Sequence, residues 1–294
     1  MSVEQLPLVS IIIPAKNEGE NVRNTVTSAL QSKTDYPFEI IVVDDGSTDH
    51  CCRLIAPRVD GNRLRLITTQ GIGAAPARNL GADHAKGDYL IFCDAHLYFE
   101  HYWIDQMLEL IRSGVADAVS PGIASTEHPT YVGYGQTLNP RLGISWLRQQ
   151  TKPTEVAILP GGCLAVSKNV FFDIGGFDRG FRVWGFEDIE ISIKLWLFGY
   201  KCFVQPAVKI LHLFRKSHPY TVTNEHVYYN MLRMAYSHFN DSRIVNTRKL
   251  ILHSNPMMID KDVLLHGALA QRIRYQGRRK YDDDWFIHKF QIPF

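Results

Sequence analysis

The chain has 294 residues, of which 45% are hydrophobic and 21% are charged, and its formal net charge is +2. This length and hydrophobic content allow a substantial core and argue against disorder, and the near-neutral charge gives no sign of nucleic-acid binding, which usually needs a strongly basic face. Five cysteines without a CxxC pair argue against a disulfide framework and a structural zinc site, so we expect reduced thiols.

The N-terminal segment MSVEQLPLVS lacks the basic flank and apolar core of a signal peptide, and no later stretch reaches about 18 uninterrupted apolar residues. We therefore expect no transmembrane segment and a cytoplasmic location. A basic run near the C-terminus precedes three aspartates and contains Arg272, Arg274, Arg278, Arg279 and Lys280. A solvated helical face is favoured for it, and contact with an anionic acceptor or with lipid headgroups, as in peripheral membrane binding, is the alternative.

Residues 1–115 alternate short apolar runs with helical patterns. β-Branched runs at Val9 to Ile13 and Phe38 to Val43 predict buried parallel strands, with a helix over Asn21 to Gln31 between them. The alternation continues with a strand, a helix, a strand and a helix, at Leu64 to Thr68, Ala74 to Lys86, Tyr89 to Cys93 and Tyr102 to Ser113. This order is typical of an α/β fold with a Rossmann-like, doubly wound and mostly parallel sheet.

The second half of the chain has a less regular pattern. From Ser120 to Thr154 it is rich in Gly, Pro, Tyr and Thr without a sustained period, and we expect a long irregular segment over the sheet, of a kind that is often functional. Next we expect a strand, a helix and two short strands, at Cys163 to Ser167, Glu187 to Phe198, Cys202 to Val204 and Val208 to Leu211. We expect one main domain over residues 1–220, with halves 1–115 and 116–220, and a helical extension over residues 221–294 packed on it.

Residues from two distant segments could meet on one metal ion. Asp94 and His96 directly follow a predicted strand, at the end where open α/β sheets bind ligands, and their spacing puts both side chains on one side of extended backbone. His212 lies far along the chain in the segment KILHLFRKSHPY. A carboxylate with imidazoles suits Mn²⁺ or a similar first-row divalent ion better than Ca²⁺. An Asp-x-His pair alone is more often structural, but the combined set favours a metal site.

Two acidic pairs allow either a functional or a purely local interpretation. Asp44 and Asp45 end a predicted strand before Gly-Ser-Thr, so they could bind uracil or ribose hydroxyls, or could cap a turn. Glu187 and Asp188 begin a predicted helix after Gly185, where the helix dipole favours carboxylates. That second pair could supply a general base for an acceptor hydroxyl, or could cap the helix.

Phosphate binding cannot rest on a glycine-rich loop in this sequence. The segment GIGAAP fails as a dinucleotide fingerprint because Pro76 replaces its third glycine and it does not follow the first strand, and no GKS or GKT P-loop occurs. A metal ion and basic side chains must therefore bind the phosphates. Arg215, His218 and Tyr220 follow His212 closely and could contact a diphosphate.

With these groups, the sequence resembles nucleotide-sugar glycosyltransferases of the GT-A fold, most of all the catalytic domain of polypeptide N-acetylgalactosaminyltransferases. The motifs appear in family order: VSIIIPAKNE, VVDDGSTD, GAAPARNLGA, CDAH, PGGCLAV, WGFEDIEIS and HLFRKSHPY. The resemblance implies that Asp94, His96 and His212 bind Mn²⁺, with Mg²⁺ or another divalent cation as alternatives. It assigns the UDP-sugar to Pro14, Ala15, Glu18, Asp44, Asp45, Arg78, Asp94, Gly162, Trp184, Arg215, His218 and Tyr220.

The sequence departs from that family at three points. It shows neither the membrane anchor nor the lectin domain of the animal enzymes, and TVTNEHV replaces their Pro-Gly-Gly loop. Their W-G-G-E-N segment reads W-G-F-E-D here, so Asp188 resembles the acceptor base of inverting bacterial glycosyltransferases and of animal β-galactosyltransferases. With Glu187 and Asp188 as catalytic residues, we therefore expect inversion, and retention is the alternative.

The resulting expectation is metal-dependent transfer of a hexose or N-acetylhexosamine from a UDP-sugar to a peptide, glycan or small-molecule acceptor. Nucleotidyl transfer is a weaker alternative because the loop PAKNEGE contains a single Gly and a single Lys, instead of a glycine-rich basic loop. A catalytically inactive sugar-nucleotide binding module is the alternative from outside the enzymes.

Overall fold

The computed structural model describes residues 6–294, so the start of the segment that we tested for a signal peptide lies outside the described residues. Its strands are β1 (Val9–Ala15), β2 (Phe38–Asp44), β3 (Leu64–Thr68), β4 (Tyr89–Cys93), β5 (Leu97–Tyr98), β6 (Ala118–Ser125), β7 (Val132–Gly133), β8 (Gln136–Leu138), β9 (Ile144–Trp146), β10 (Thr154–Glu155), β11 (Cys163–Ser167) and β12 (Cys202–His212). Its α-helices are α1 (Asn21–Gln31), α2 (Ala74–Asp83), α3 (Trp103–Arg112), α4 (Lys168–Asp173), α5 (Glu187–Phe198), α6 (Asn224–His238), α7 (Asp241–Lys249), α8 (Pro256–Leu265), α9 (Ala268–Gln276) and α10 (Asp283–Lys289).

One large mixed sheet organises the molecule. Its main path runs β10-β12-β6-β11-β4-β1-β2-β3, with β5 added to β12 and β7 added to β6. Strands β3, β2, β1 and β4 are parallel neighbours, β11 runs antiparallel to both β4 and β6, and β12 is parallel to β6. The β-branched runs of β1 and β2 are almost wholly buried, as expected for strands covered on both faces. The predicted α/β class with a mostly parallel sheet is confirmed.

The prediction of an irregular segment from Ser120 to Thr154 was wrong at its start. β6 is buried along most of its length and lies between β12 and β11 in the main sheet. Pro121 and Gly122 concealed it, because proline is rare inside central strands. The partner strand changes register between Gln205 and Lys209, opposite this Pro-Gly pair, and the irregularity accommodates the missing N–H donor. The two short strands predicted after residue 201 are both part of β12.

Strand direction gathers several chain segments at one edge of the sheet. β1 and β4 are parallel, and β12 has the same direction as β4 because two antiparallel pairings and one parallel pairing separate them. The carboxyl ends of all three strands therefore share this edge with the amino end of β11. The pairing of β5 with β12 sets His212 opposite Leu97, and the Leu213 N–H donates to the His96 carbonyl over 3.1 Å.

The C-terminal helices pack on this sheet domain through apolar contacts. α6 contacts α5, α7, α8 and α9, and α10 also contacts α5. Phe286 and Ile287 of α10 share one buried cluster with Trp196 of α5 and Ile12 of β1. Within residues 6–294, no helix has both the length and the hydrophobicity needed to span a bilayer. The helical extension is thus part of the core, and the divisions near residues 115 and 220 stay predictions.

A buried ionic group joins the central helix to the extension. Glu190 and Lys194 of α5 are fully buried, and the Lys194 ammonium lies 3.0 Å from a Glu190 carboxylate oxygen. The same Glu190 oxygen lies 2.8 Å from Nε2 of His238 on α6, and Lys194 Nζ donates to the Tyr275 hydroxyl of α9 over 3.4 Å. Burial alone would lower the pKa of Lys194, but the charge of Glu190 raises it above its usual value.

Lys194→Met should lower the free energy of unfolding by about 3 kcal/mol, because a carboxylate would stay buried without its main counter-charge. The matched control is Lys209→Met, which removes the exposed Lys209–Glu100 pair and should cost less than about 1 kcal/mol. Urea unfolding of the two variants checks this, and equal losses of stability would contradict the prediction.

Candidate active site

A cleft of about 580 Å³ opens at the gathered edge of the sheet. Among its lining residues are Pro14, Ala15, Glu18, Asp45, Arg78, Asp94, His96, Gly162, Trp184, Glu187, Asp188, His212, Arg215, His218 and Tyr220. Of the predicted site residues, Asp44 does not line it. Asp44 Oδ1 accepts a 2.9 Å hydrogen bond from the Ser47 N–H, which corresponds to the turn-capping alternative.

The three predicted metal ligands lie together at the strand ends. One ligand atom from each of Asp94, His96 and His212 can be chosen so that all lie within 4.8 Å of one another. Nε2 of His212 lies 3.3 Å and Nε2 of His96 4.0 Å from Asp94 Oδ2, and the two imidazole rings meet edge to face at 4.6 Å. All three side chains are largely shielded from solvent. An oxygen and two nitrogens in this arrangement are a donor set that suits a first-row divalent ion.

Neighbouring groups orient these candidate ligands. Nδ1 of His96 lies 3.2 Å from Glu18 Oε2, a contact that leaves Nε2 free to face the cleft. Glu18 is itself paired with Arg215. A Cβ on Gly162 would lie 3.1 Å from the His212 ring, so a larger residue at position 162 would press on the imidazole. The residues present therefore fit a bound metal ion.

Arg78 connects the strand edge to the amino end of α5. Its buried guanidinium donates to Asp94 Oδ1 over 2.8 Å and lies 3.5 Å from Glu187 Oε1. Burial alone would raise the pKa of Asp94, but the hydrogen bond with His212 and the charge of Arg78 hold it well below its usual value. Asp94 thus stays ionised, as a metal ligand must.

Asp45 orders the loop that precedes α2. Its Oδ1 accepts hydrogen bonds from the Thr69 hydroxyl and the Ile72 N–H, both at 2.6 Å, and its Oδ2 accepts from the Gly73 N–H at 2.9 Å. The Lys16 ammonium, which the sequence did not single out, lies 3.7 Å from Asp45 Oδ2 and faces the same cleft. Asp45 therefore fixes the approach to the helix that carries Arg78.

The two carboxylates at the start of α5 have unusual protonation. Burial raises the pKa of Glu187 to about 7, with Asp188 adding to the shift and Arg78 opposing it. Burial also raises the pKa of Asp188, although the N–H groups of Ile189 and Gly161 donate to it at 2.8 and 3.2 Å. Asp188 lines the cleft and is only partly buried. Perturbed carboxylates in a cleft are candidates for acid–base chemistry.

Aromatic rings close the opposite wall of the cleft. Trp184 packs on His218 with ring centroids 4.3 Å apart, and His218 lies 5.8 Å from the Tyr220 ring. Burial, together with the charge of Arg215, lowers the pKa of His218 and favours the neutral imidazole. Burial and the charge of Glu187 raise the pKa of Tyr220, so its hydroxyl stays a hydrogen-bond donor.

Sequence reasoning missed Gln136 as a lining residue. This residue is only 2% exposed, and its Oε1 has no hydrogen-bond partner among the described residues. A buried amide without a partner at a cleft wall suits a polar group of a ligand. No local signal marked it, because it lies in the segment 120–154 that we expected to be irregular. Trp146 and Phe214, with ring centroids 6.4 Å apart, also line this wall without having been predicted.

Comparison with protein-family models places the chain among enzymes of sugar transfer. The model described as glycosyl transferase family 2 matches residues 10–175, and the model described as the N-terminal domain of galactosyltransferase matches residues 147–219. Among curated proteins, the putative polypeptide N-acetylgalactosaminyltransferase 13 of Drosophila melanogaster is 32% identical over 238 residues, which are 72% of this chain and 42% of that protein. The chain therefore spans less than half the length of this relative.

Two solved structures show the same fold. The crystal structure of GalNAc-T7 with UDP, GalNAc and Mn²⁺ matches with a TM-score of 0.78 at 20% identity, over 98% of this chain and 57% of that one. The crystal structure of S. aureus TarS 1-349 in complex with UDP-GlcNAc matches with a TM-score of 0.58 at 18% identity, over 91% of this chain and 72% of that one. The expected GT-A fold is thereby confirmed.

Glu187→Gln should stabilise the protein more at about pH 8 than at about pH 5. The raised pKa means that the folded protein keeps this proton up to about pH 7, whereas the unfolded chain loses it near 4.5, so ionisation costs stability as the pH rises through that window. Glutamine cannot ionise and avoids this cost. We therefore expect the effect of the substitution on the free energy of unfolding to be more favourable at pH 8 than at pH 5, by on the order of 1–3 kcal/mol.

The matched control is Glu190→Gln, one turn further along α5. Burial alone would raise the pKa of Glu190, but Lys194 and His238 hold it below its usual value, so its carboxylate stabilises the fold and its loss should destabilise at both pH values. Thermal unfolding at the two pH values measures both effects. If the Glu187→Gln variant loses more stability than the unmodified chain between pH 5 and pH 8, the raised pKa of Glu187 is refuted.

Proposed function

This chain belongs to glycosyl transferase family 2, and on that premise we propose that it transfers a hexose or N-acetylhexosamine from a UDP-sugar to an acceptor hydroxyl with the help of Mn²⁺. The observation that carries the proposal is the meeting of Asp94, His96 and His212 in one cleft with the perturbed pair Glu187 and Asp188. Mg²⁺ or another divalent cation is the alternative metal. The binding of UDP and Mn²⁺ by GalNAc-T7, a structural neighbour, supports this choice.

The donor diphosphate would lie beside the metal ligands. Asp94, His96 and His212 would hold a divalent ion, which would supply positive charge next to the diphosphate of the leaving UDP. Arg215 lies at the same end of the cleft and can add a charged hydrogen bond to the phosphates, although it is paired with Glu18 in this structure. Pro14, Ala15 and the loop ordered by Asp45 form the wall that we assign to uridine.

Asp188 is the proposed general base. The acceptor oxygen attacks the anomeric carbon, the bond from that carbon to the phosphate oxygen breaks, and the acceptor proton passes to Asp188. A raised pKa suits this task because it strengthens the carboxylate as a base. Glu187, beside it at the start of α5, lies 3.5 Å from the Arg78 guanidinium and accepts a 2.7 Å hydrogen bond from the Gly185 N–H, and it thereby holds the amino end of α5 in place. Direct displacement of this kind inverts the anomeric configuration, and retention is the alternative.

The proposed acceptor is a hydroxyl-bearing peptide, glycan or small molecule. The similarity to polypeptide N-acetylgalactosaminyltransferases makes a peptide hydroxyl the first candidate, with a glycan or a small molecule as alternatives. Trp146, Ile144 and Phe214 line the cleft and offer apolar surface on which a sugar ring or a peptide side chain can pack. Peripheral membrane contact and the cytoplasmic location both stay predictions, as does the role of residues 1–220 as the catalytic domain.

UDP release from a panel of UDP-sugars, with and without Mn²⁺, tests the reaction class. One donor should be hydrolysed slowly even without an acceptor, and removal of the metal with EDTA should abolish release. UDP binding without turnover on any donor or acceptor would instead favour the inactive binding module, and pyrophosphate release from UTP and a sugar phosphate would favour nucleotidyl transfer.

Variants of the proposed metal ligands test whether these residues cause the Mn²⁺ dependence. Asp94→Asn and His212→Ala should weaken Mn²⁺-dependent UDP binding by roughly tenfold or more, as measured by calorimetry. His253→Ala, an exposed histidine outside the cleft, should leave binding unchanged. Wild-type affinity for UDP in both variants would contradict the assignment of Asp94 and His212 as metal ligands.

Asp188→Asn should lower turnover by about 10²- to 10⁴-fold while UDP binding stays at the wild-type level, because only proton transfer is lost. Asp173→Asn, a surface carboxylate, is the control and should keep full activity. Proton NMR of the anomeric signal in the first product decides the stereochemistry. An Asp188→Asn variant with full turnover, or a product of retained configuration, would contradict the proposed base.

A further inference from the structure

The loop directly before α5 holds a conformation that its sequence does not favour. Val183, Gly185 and Phe186 all have positive φ angles, of 48°, 104° and 68°. For a β-branched residue such as Val183 this is a rare backbone state, and each such residue costs on the order of 1–3 kcal/mol. Conformations of this kind persist only where the surrounding structure imposes them. The loop carries Trp184 and leads into Glu187 and Asp188, so the contacts that impose its shape bear on the cleft.

One buried side chain of the C-terminal extension spans this loop. Asn230 of α6 is 1% exposed, and its Nδ2 donates to the carbonyls of Arg182 at 2.8 Å, Gly185 at 2.9 Å and Trp184 at 3.3 Å. Its Oδ1 accepts from the Arg182 N–H at 2.8 Å. A single carboxamide thus ties both ends of the strained loop, and it uses its donor and its acceptor in doing so.

A second contact from the extension anchors the start of the loop. The Arg182 guanidinium pairs with Asp262 of α8 and lies 3.6 Å from the ring centre of Tyr229 on α6. On the opposite side, the Ala74 N–H at the start of α2 donates to the Val183 carbonyl over 2.8 Å. The loop is therefore held between the helix that carries Arg78 and two helices of the extension.

We propose that Asn230 is a positioning residue, which fixes the 182–186 loop and thereby sets the placement of Trp184 and Asp188 in the cleft. The C-terminal extension is then a working part of the active site as well as part of the core. This inference rests on the proposed sugar transfer for its effect on turnover. The effect on the loop itself follows from the hydrogen bonds alone.

Asn230→Asp and Asn230→Ala test the proposal. Aspartate has the same shape but offers no N–H donor to the three carbonyls, and alanine removes the group altogether. The matched control is Ser237→Ala, a 1% exposed polar residue on the same helix whose hydroxyl hydrogen-bonds with Arg233 and Gln271 instead of with the loop. Each variant is measured by thermal unfolding, by amide hydrogen exchange over residues 182–188, by calorimetric binding of UDP with Mn²⁺, and by kcat.

Both Asn230 variants should exchange the loop amides about tenfold faster or more, because local opening becomes easier. Turnover should fall on the order of 100-fold, since small misplacements of reacting groups cost this much. UDP affinity should stay within about twofold of wild type, because the metal-ligand edge is untouched. Ser237→Ala should match wild type in loop exchange and kcat, even where its melting temperature drops.

Unchanged exchange and unchanged kcat in folded Asn230 variants would overturn the proposal. A parallel loss of kcat and UDP affinity that simply follows the melting temperature would also overturn it, because this would show a purely structural role. If both variants fail to fold, Asp262→Asn takes their place and should give the same pattern at smaller size through Arg182. A wild-type chain without sugar transfer would refute the proposed function. The hydrogen-exchange measurement would still show whether Asn230 fixes the 182–186 loop.

Discussion

A single buried guanidinium holds the two sides of the cleft together. Arg78 lies between Asp94, which ends a strand of the first half, and Glu187, which begins the central helix of the second half. Without that positive charge, the Asp94 carboxylate would lose its guanidinium partner, and removal of one member of a buried ion pair costs several kcal/mol. The hydrogen bonds of Asp45 to the loop before α2 fix the approach to Arg78, so this carboxylate, directly after β2, acts on the site through the backbone.

Two carboxylates one turn apart on the central helix have pKa values that are shifted in opposite directions. Glu187 and Glu190 are both buried carboxylates on α5, yet burial raises the pKa of the first, whereas Lys194 and His238 lower that of the second. The difference lies in their partners: Glu190 has two buried counter-groups, while Glu187 shares the Arg78 guanidinium with Asp94 and has Asp188 as a neighbour. Environments that shift the pKa values of two carboxylates in opposite directions allow one helix to carry both an ionised structural group and a titratable group.

The parts of the structure that follow from local pattern could be predicted from the sequence. β3, β4, β11, α1 and α5 have the predicted bounds because short apolar-rich segments and helical patterns define them. β6 was missed because Pro121 interrupts its pattern, and only the register change in β12 makes a strand feasible there. Motif residues such as Asp94 and His212 reach the cleft as expected. Gln136 and Asn230 were missed, because their roles depend on contacts between segments that are distant in sequence.

Under the proposal that Asn230 positions the loop before α5, the helical extension would contribute to the active site as well as to the core. Glycine tolerates positive φ at little cost, but here Val183 and Phe186 adopt it as well, so the loop depends on contacts from outside. Those contacts come from α6 and α8, in a region whose sequence pattern predicts only helices. A strained loop held by a buried amide has one favoured arrangement, and Asp188, if it acts as the proposed general base, would need such a fixed position relative to the reacting carbon. Strain at this loop is therefore best understood as stability given up locally to fix the reacting groups, and recovered in the packing of the helical extension.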